Sequence, residues 1–317
     1  MFRVFKWLLA AATASALMTA CGGDDDPAPT PTLAQAAQDG GFSSLTAAAT
    51  KAGLAATLSD SSVSLTVFAP TNAAFTTLAT QLGFASADAM VTALPASTLA
   101  SILQYHVLAT RKTAADLQAG GSSQPTLYNF AGSAAALTLS TSGGVSLQDA
   151  ALTTAKVTKA DVMASNGVIH AIDKVLVPPG VLTIVQMAQV NPLFDSLVGT
   201  VVKANLQTTL SGAGPFTVFA PTNAAFAAIA TTVSGLTTQQ LTNVLTYHVL
   251  PTQVLSANIP FGTPVTTVLG QSIVINAATP PTITDSTPTS AKITAVDVRA
   301  SNGVIHVIDK VLIPNPL

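Results

Sequence analysis

The apolar positions of this chain follow two periods in turn. Leu99, Ile102, Leu103 and His106 stand at i, i+3, i+4 and i+7, and Leu241, Val244, Leu245 and His248 repeat that spacing. Positions so spaced share one helical face, so each histidine ends an apolar stripe aimed at a core. Ser97 opens the first of these helices, and Thr237 with Gln240 forms a capping box at the second. Upstream, Leu65, Val67 and Ala69 alternate with Ser64, Thr66 and Phe68, which predicts a strand ended by Pro70. Thr71-Asn72 then supplies the N-cap of a helix carrying Phe75 and Leu78, and Thr222-Asn223 holds the same place later in the chain. Before the strand, Thr32 caps a helix over Leu33–Gln38, Gly40-Gly41 breaks it, and a second helix is predicted from Phe42 to Leu58. Val181–Gln189 and Leu193–Leu210 hold the corresponding places downstream. Shorter strand-like runs follow the His106 helix: Leu127–Phe130, Ala136–Ser140, Val145–Leu147 and Lys156–Met163. Ser165-Asn166-Gly167 predicts a hairpin turn with positive φ at both Asn and Gly, and Asn302-Gly303 repeats it. The returning stretch Val168–Val177 is apolar on both faces, one carrying Val168, His170 and Ile172, the other Ile169, Ala171 and Val175. Such a strand is internal and covered on each side. Helices, a strand, helices and then several strands make an α+β fold, with helices gathered against a largely antiparallel sheet.

The same elements occur twice. TVFAPTNAAF stands at Thr66–Phe75 and, identical in all ten residues, at Thr217–Phe226. YHVL recurs at Tyr105–Leu108 and Tyr247–Leu250, and ASNGVIHAIDKVLVP at Ala164–Pro178 returns as ASNGVIHVIDKVLIP at Ala300–Pro314. Thr66 to Thr217 is 151 positions, Tyr105 to Tyr247 142, and Ala164 to Ala300 136. The order is constant and the spacing shrinks, so the second copy has shorter loops. A repeat of about 140 residues can bury its own core and is far longer than a solenoid unit. The chain divides into residues 1–20, 21–32, a first module at 33–178 and a second at 181–314. The junction Pro178-Pro179-Gly180 holds the two modules in a restricted orientation, in contact.

These three marks resemble the fasciclin-like (FAS1) domain family: an opening TVFAPTNAAF, a central Tyr-His and a closing NGVIHVIDKVL. The resemblance implies two tandem FAS1 domains, each a β-wedge or sandwich of about seven strands flanked by helices. It also implies a non-enzymatic role in adhesion or matrix interaction. In animal members the Tyr-His motif, here Tyr105-His106 and Tyr247-His248, is linked to receptor binding. This chain has no Arg-Gly-Asp, and only "surface interaction module" carries over.

Charged residues are 8% of the chain, and all fourteen acids are Asp. The polar surface is therefore built from Thr, Ser, Gln and Asn. A net charge of −2 without a basic cluster argues against nucleic acid. The mean hydropathy of +0.52 comes from scattered Ala and Val, and beyond the N-terminus no apolar run reaches the roughly 18 residues of a spanning helix. Residues 1–20 read as a signal peptide, with Arg3 and Lys6 before an apolar Trp7–Met18. Leu17-Met18-Thr19-Ala20-Cys21 resembles a lipobox, although Met18 stands where Leu is preferred. Lipidation of Cys21, the single cysteine, is expected, with Gly22–Thr32 as a Pro-rich tether. The membrane is reached through that anchor alone. The expected location is the bacterial cell envelope, lipid-anchored at the outer membrane, or else periplasmic or extracellular.

All four histidines lie in the repeated motifs. Asp161, Ser165, His170 and Asp173 cluster in sequence, but His170 alternates with apolar neighbours and no nucleophile elbow surrounds Ser165. His170 and His306 are read as structural, as are Thr71, Asn72, Thr222, Asn223, Asn166, Gly167, Asn302 and Gly303. The Tyr-His rings are expected to bond to Thr71 or Asn72. No catalytic residue, cofactor or metal site is expected, and Asp24-Asp25-Asp26 lacks metal-loop spacing. The partner is a surface or matrix protein or a glycan. A polysaccharide or small apolar ligand is the alternative, weakened by the lack of Trp beyond Trp7 and by only three Tyr; a hydrolase is the remotest. Loops Thr110–Gln124 and Thr252–Pro264 differ most between copies and are candidates for specificity.

Overall fold

The structure, a computed structural model, describes residues 30–316. The signal peptide, Cys21 and nearly all of the tether lie outside the described residues. The first module holds β1 (Leu65–Pro70), β2 (Val107–Leu108), β3 (Ser123–Phe130), β4 (Ser133–Ser140), β5 (Ser146–Gln148), β6 (Thr154–Ala164) and β7 (Gly167–Ile172). The second holds β8 (Phe216–Pro221), β9 (Val249–Leu250), β10 (Pro264–Thr266), β11 (Ser272–Asn276), β12 (Thr282–Thr284), β13 (Ala291–Ala300) and β14 (Gly303–Ile308). Each module is one seven-stranded sheet, in the orders β2-β1-β7-β6-β5-β4-β3 and β10-β11-β12-β13-β14-β8-β9. The fold is mixed α+β with flanking helices.

Each sheet is antiparallel except at one internal pair, one strand in from an edge, where β1 runs parallel to β7 and β8 parallel to β14. The two repeated motifs, TVFAP and NGVIHAI, are those paired strands. Both faces of β1 and β7 are buried, and the alternation sorts them between two cores. Leu65, Val67, Ala69, Ile169 and Ala171 face the helical layer. Phe68 and Ile172 face inward with Tyr105, Leu117, Leu137, Leu139 and Leu147. The second module repeats this inner cluster around Phe219, Tyr247, Ile273, Ile275 and Ile308.

Several boundaries move. The first helix runs Leu33–Asp39 with a full Thr32–Gln35 capping box. The predicted helix from Phe42 to Leu58 is two helices, Ser43–Lys51 and Ala55–Ser59. Gly53 adopts φ +72° between them, a conformation that ends a helix without a Cβ penalty. In the second module Asn205, at φ +56°, does the same after Asp195–Lys203. The His106 helix starts at Ala96 after Pro95, while the Thr237–Gln240 capping box forms as expected.

The Asn-Gly turn is a correction. Asn166 is absent from the residues of positive φ, and Gly167 is nearly extended at φ +159°. What excludes a side chain at 167 is proximity: a Cβ there would lie 2.3 Å from the Leu65 carbonyl oxygen, and one at Gly303 2.1 Å from that of Phe216. Gly167→Ala is expected to cost about 2 kcal/mol, because the parallel strands β1 and β7 must spread. A chemical-denaturation midpoint equal to that of the wild type would refute this.

The modules touch. Asn191, 1% exposed, donates to the Ala151 carbonyl at 2.8 Å, and Gly180 N–H donates to the Arg299 carbonyl at 2.9 Å. Tyr128 Oη donates to Pro179 O at 3.1 Å. One helix-facing core runs continuously from Leu33 to Val311 through both modules.

Candidate functional site

His106 ends its helix as the C-cap. Its Nδ1 donates to Ile102 O at 2.7 Å, and its Nε2 accepts from Leu176 N–H at 2.8 Å. His248 repeats both bonds, to Val244 O at 2.7 Å and from Leu312 N–H at 2.8 Å. These partners overturn the expectation that Thr71 or Asn72 would hold the rings. The chain reaches the ring from the segment after β7, whose N–H groups leave the sheet there and need acceptors. One ring nitrogen must carry a proton and the other must not, so both imidazoles are neutral. Burial drives each histidine down to about 4, against the smaller opposite effect of the Ile102 and Val244 carbonyls. The motif tyrosines point into the inner cores, with Tyr105 Oη donating to Ala136 O and Tyr247 Oη to Ser272 O, both at 3.2 Å. Tyr105 and His106 are 1% exposed, Tyr247 2% and His248 3%. The Tyr-His motif is thus an internal brace.

Thr71 and Thr222 cap their own helices, accepting from Ala74 N–H and Ala225 N–H. Asn72 does something else. Its Oδ1 accepts from Ser44 N–H at 3.0 Å and its Nδ2 donates to Gly41 O at 2.9 Å. The helix Ser43–Lys51 has no side-chain cap of its own, because Phe42 precedes it. Asn72 therefore caps a neighbouring helix across the fold, and Asn223 does so through Ser196 and Pro192. Asn72→Ala is expected to lower the free energy of unfolding by about 1 kcal/mol, the usual worth of an N-cap. Thermal unfolding unchanged from wild type would refute it.

The strand histidines hold the variable loops. His170 Nε2 donates to Lys112 O at 2.9 Å, and Nδ1 accepts from Asp161 N–H at 3.3 Å. His306 does the same with Val254 O and Asp297 N–H. Each ring stacks on the phenylalanine of the opening motif, Phe68 or Phe219, at 5.7 Å. Asp161 and Asp297 lie at bulges with φ +56° and +61°. Their carboxylates accept from Ala114 N–H and Ser256 N–H, the first turns of the two loops. Thr66 and Thr217 complete the anchorage, donating to Thr110 O and Thr252 O and accepting from Lys112 and Val254 N–H. Past these roots the loops diverge, into a helix at Ala114–Ala119 and a 3-10 turn at Ser256–Asn258. The Asp161–Ser165–His170–Asp173 cluster does not assemble as a nucleophile and base. His170 is fully buried with both nitrogens engaged, Ser165 Oγ bonds weakly to Pro31 O at 3.4 Å, and Asp173 accepts from Lys156 N–H. Among the described residues no three His, Cys, Asp or Glu side chains are placed to hold a metal ion.

Two acids escaped sequence reasoning. Asp149 is 5% exposed and accepts four bonds, from Ala151 N–H, Thr153 N–H, Thr153 Oγ1 and Val177 N–H. Burial pushes its carboxyl pKa up, and the bonds oppose that only in part. Asp285 accepts from Thr287, Ile313 N–H and Lys310 Nζ, the last at 2.6 Å. Burial works against its charge, but Lys310 and Thr287 outweigh it and hold the pKa below the ordinary value. Both acids stand fifteen positions before the alanine of ASNGV, and that shared register was the signal to follow. Lys174, the counterpart of Lys310, turns instead toward Val190 O of the second module at 3.4 Å.

The family model described as the Fasciclin domain matches residues 40–178 and 192–314. The chain belongs to the Fasciclin domain family. A Synechocystis protein, sll1483, is 42% identical over 140 residues, 42% of this chain and 74% of that protein. The transforming growth factor-beta-induced protein ig-h3 of Sus scrofa is 30% identical over 255 residues, 80% of this chain but 35% of the pig protein. The FAS1 domain pair of the insect cell adhesion molecule Fasciclin I aligns at 19% identity and a TM-score of 0.44, over 87% of this chain and 97% of that one. Among the described residues of this FAS1 pair, no helix is long and apolar enough to cross a membrane.

Proposed function

We propose that this FAS1 pair is a non-enzymatic surface-interaction protein, displayed on a bacterial envelope by a lipid on Cys21 and binding a matrix protein or glycan. The observation that carries the reading is the contrast between the buried motifs and the two loops they hold. Two histidines, His170 and His306, with two Asp–loop bonds and two threonines, hold the roots of 110–124 and 252–264, and leave the outer parts of those loops different in the two modules. A rigid scaffold presenting variable loops is the usual architecture of recognition, and two modules joined through one core offer two such surfaces at fixed spacing. Family membership agrees with this direction. The engaged histidines disfavour a hydrolase, since a general base needs a free nitrogen within reach of substrate.

The test uses cells displaying the full chain, cells displaying a version with both loops replaced by glycine-serine segments, and bare cells. Retention on immobilised matrix proteins and glycans is expected for the first only. Equal retention of displaying and bare cells would sink the adhesive reading. Cys21→Ser is expected to abolish incorporation of a radiolabelled fatty acid.

A further inference from the structure

We propose that the cleft between the two modules is a binding site for a hexuronic acid, with Arg299 receiving the sugar's carboxylate. Arg299 lies on β13 of the second module, and its guanidinium stands over the Phe130 ring of the first, 5.3 Å from the centroid. Its Nε is buried and has no hydrogen-bond partner. Among the described residues no carboxylate lies within 4.0 Å of it, the ion pairs there being Lys310–Asp285 and the marginal His170–Asp161. A buried cationic donor without an acceptor is costly, and the guanidinium fork is matched by a carboxylate approaching edge-on.

The space beside it fits such a group. The cleft measures about 320 Å³, and its polar lining is Ser133, Thr138, Gln148, Asp149, Asp297 and Arg299, set among Phe130 and small apolar side chains. That volume is at the lower end of small-molecule sites, which run from about 300 Å³. Hydroxyl and amide side chains around one cation suit a ligand with one carboxylate and several hydroxyls. A dianion or polyanion is disfavoured, because Asp149 and Asp297 also border the cleft. Their oxygens are already committed, Asp149 to four donors and Asp297 to Ser256 N–H and Oγ, so neither supplies the missing partner of Arg299.

The site is a product of the tandem. The first-module equivalent of Arg299 is Met163, 43% exposed and in contact with Arg111. Phe130 is fixed by the junction: a Cβ on Gly180 would lie 2.2 Å from its ring, and Gly180 N–H holds the Arg299 carbonyl. The assignment stands on this geometry and not on the adhesive reading, so either can fail alone.

Isothermal titration of the full chain with glucuronate and galacturonate tests it, with glucose and acetate as comparison ligands. Saturable binding of a uronate in the millimolar range or tighter is expected, with glucose and acetate each weaker by about tenfold or more. Arg299→Met is expected to abolish binding, and Arg299→Lys, which keeps the charge and loses the fork, to weaken it about fivefold. Thermal melting of both variants near the wild-type temperature shows that the fold is intact; if Arg299→Met unfolds, Arg299→Lys carries the test. Absence of uronate binding, undiminished binding by Arg299→Lys, or acetate binding as tight as uronate would each overturn the assignment.

Discussion

Acidification from pH 7 to pH 4 is expected to destabilise the protein by about 3 kcal/mol for each of His106 and His248. In the folded state Nδ1 donates to a carbonyl and Nε2 faces the N–H of Leu176 or Leu312. A second proton would set two N–H groups against each other inside a core. The unfolded chain carries no such constraint and takes up its protons near pH 6.5. Burial holds both rings at about 4 in the folded state. Between those values the unfolded state binds more protons, so stability is full above pH 6.5, falls as pH drops, and levels off below 4. His306, also lowered by burial, adds in the same sense. Asp149, whose pKa burial raises, opposes the trend, because its protonation favours the folded state. Urea midpoints at half-unit pH steps measure the slope, and a flat profile between pH 6.5 and 4.5 would refute it. His106→Gln is expected to lose about 2 kcal/mol at pH 7 and to remove one histidine's share of the slope.

Asn166→Ala is expected to cost about 3 kcal/mol, by orphaning several backbone groups at once. Asn166 is 2% exposed. Its Oδ1 accepts from Leu33 N–H at 2.8 Å, and its Nδ2 donates to Leu58 O at 3.0 Å and Asp60 O at 2.8 Å. One amide thus ties the first helix and the end of the third to the β6–β7 turn. Asn302 repeats the arrangement with Ile184, Leu210 and Gly212. Asn166→Asp is expected to be worse than alanine, since it sets a carboxylate against two carbonyl oxygens. Chemical denaturation measures both, and an alanine variant within 0.5 kcal/mol of wild type, roughly the scatter of ordinary surface substitutions, would refute the role.

Much of the fold was legible because its signals are local. The stripe of Leu99, Ile102 and Leu103, the box of Thr237 and Gln240, and the doubly apolar β7 are read from neighbouring residues, and all three are found in the structure. The site was less legible because its partners are remote. Asn72 reads as a cap for the helix it begins, yet its bond goes to Ser44, 28 residues back. Asn166 reads as half of a positive-φ turn, yet its amide is spent on segments more than 100 residues away. Arg299 has no local signal, since its ring partner Phe130 belongs to the other module.

By itself the sequence determined that there are two modules of one α+β type, because identical motifs in a constant order need no coordinates to be counted. It determined too that the histidines face inward, because helical and strand periods place them among apolar residues. The tertiary structure alone decided what each polar group bonds to, which acids are buried, and where the modules meet. Those are properties of which remote backbone groups are left unpaired once the first long strand and the last strand of each module align in parallel. That pairing joins the beginning of each module to its end, and no short-range pattern encodes it.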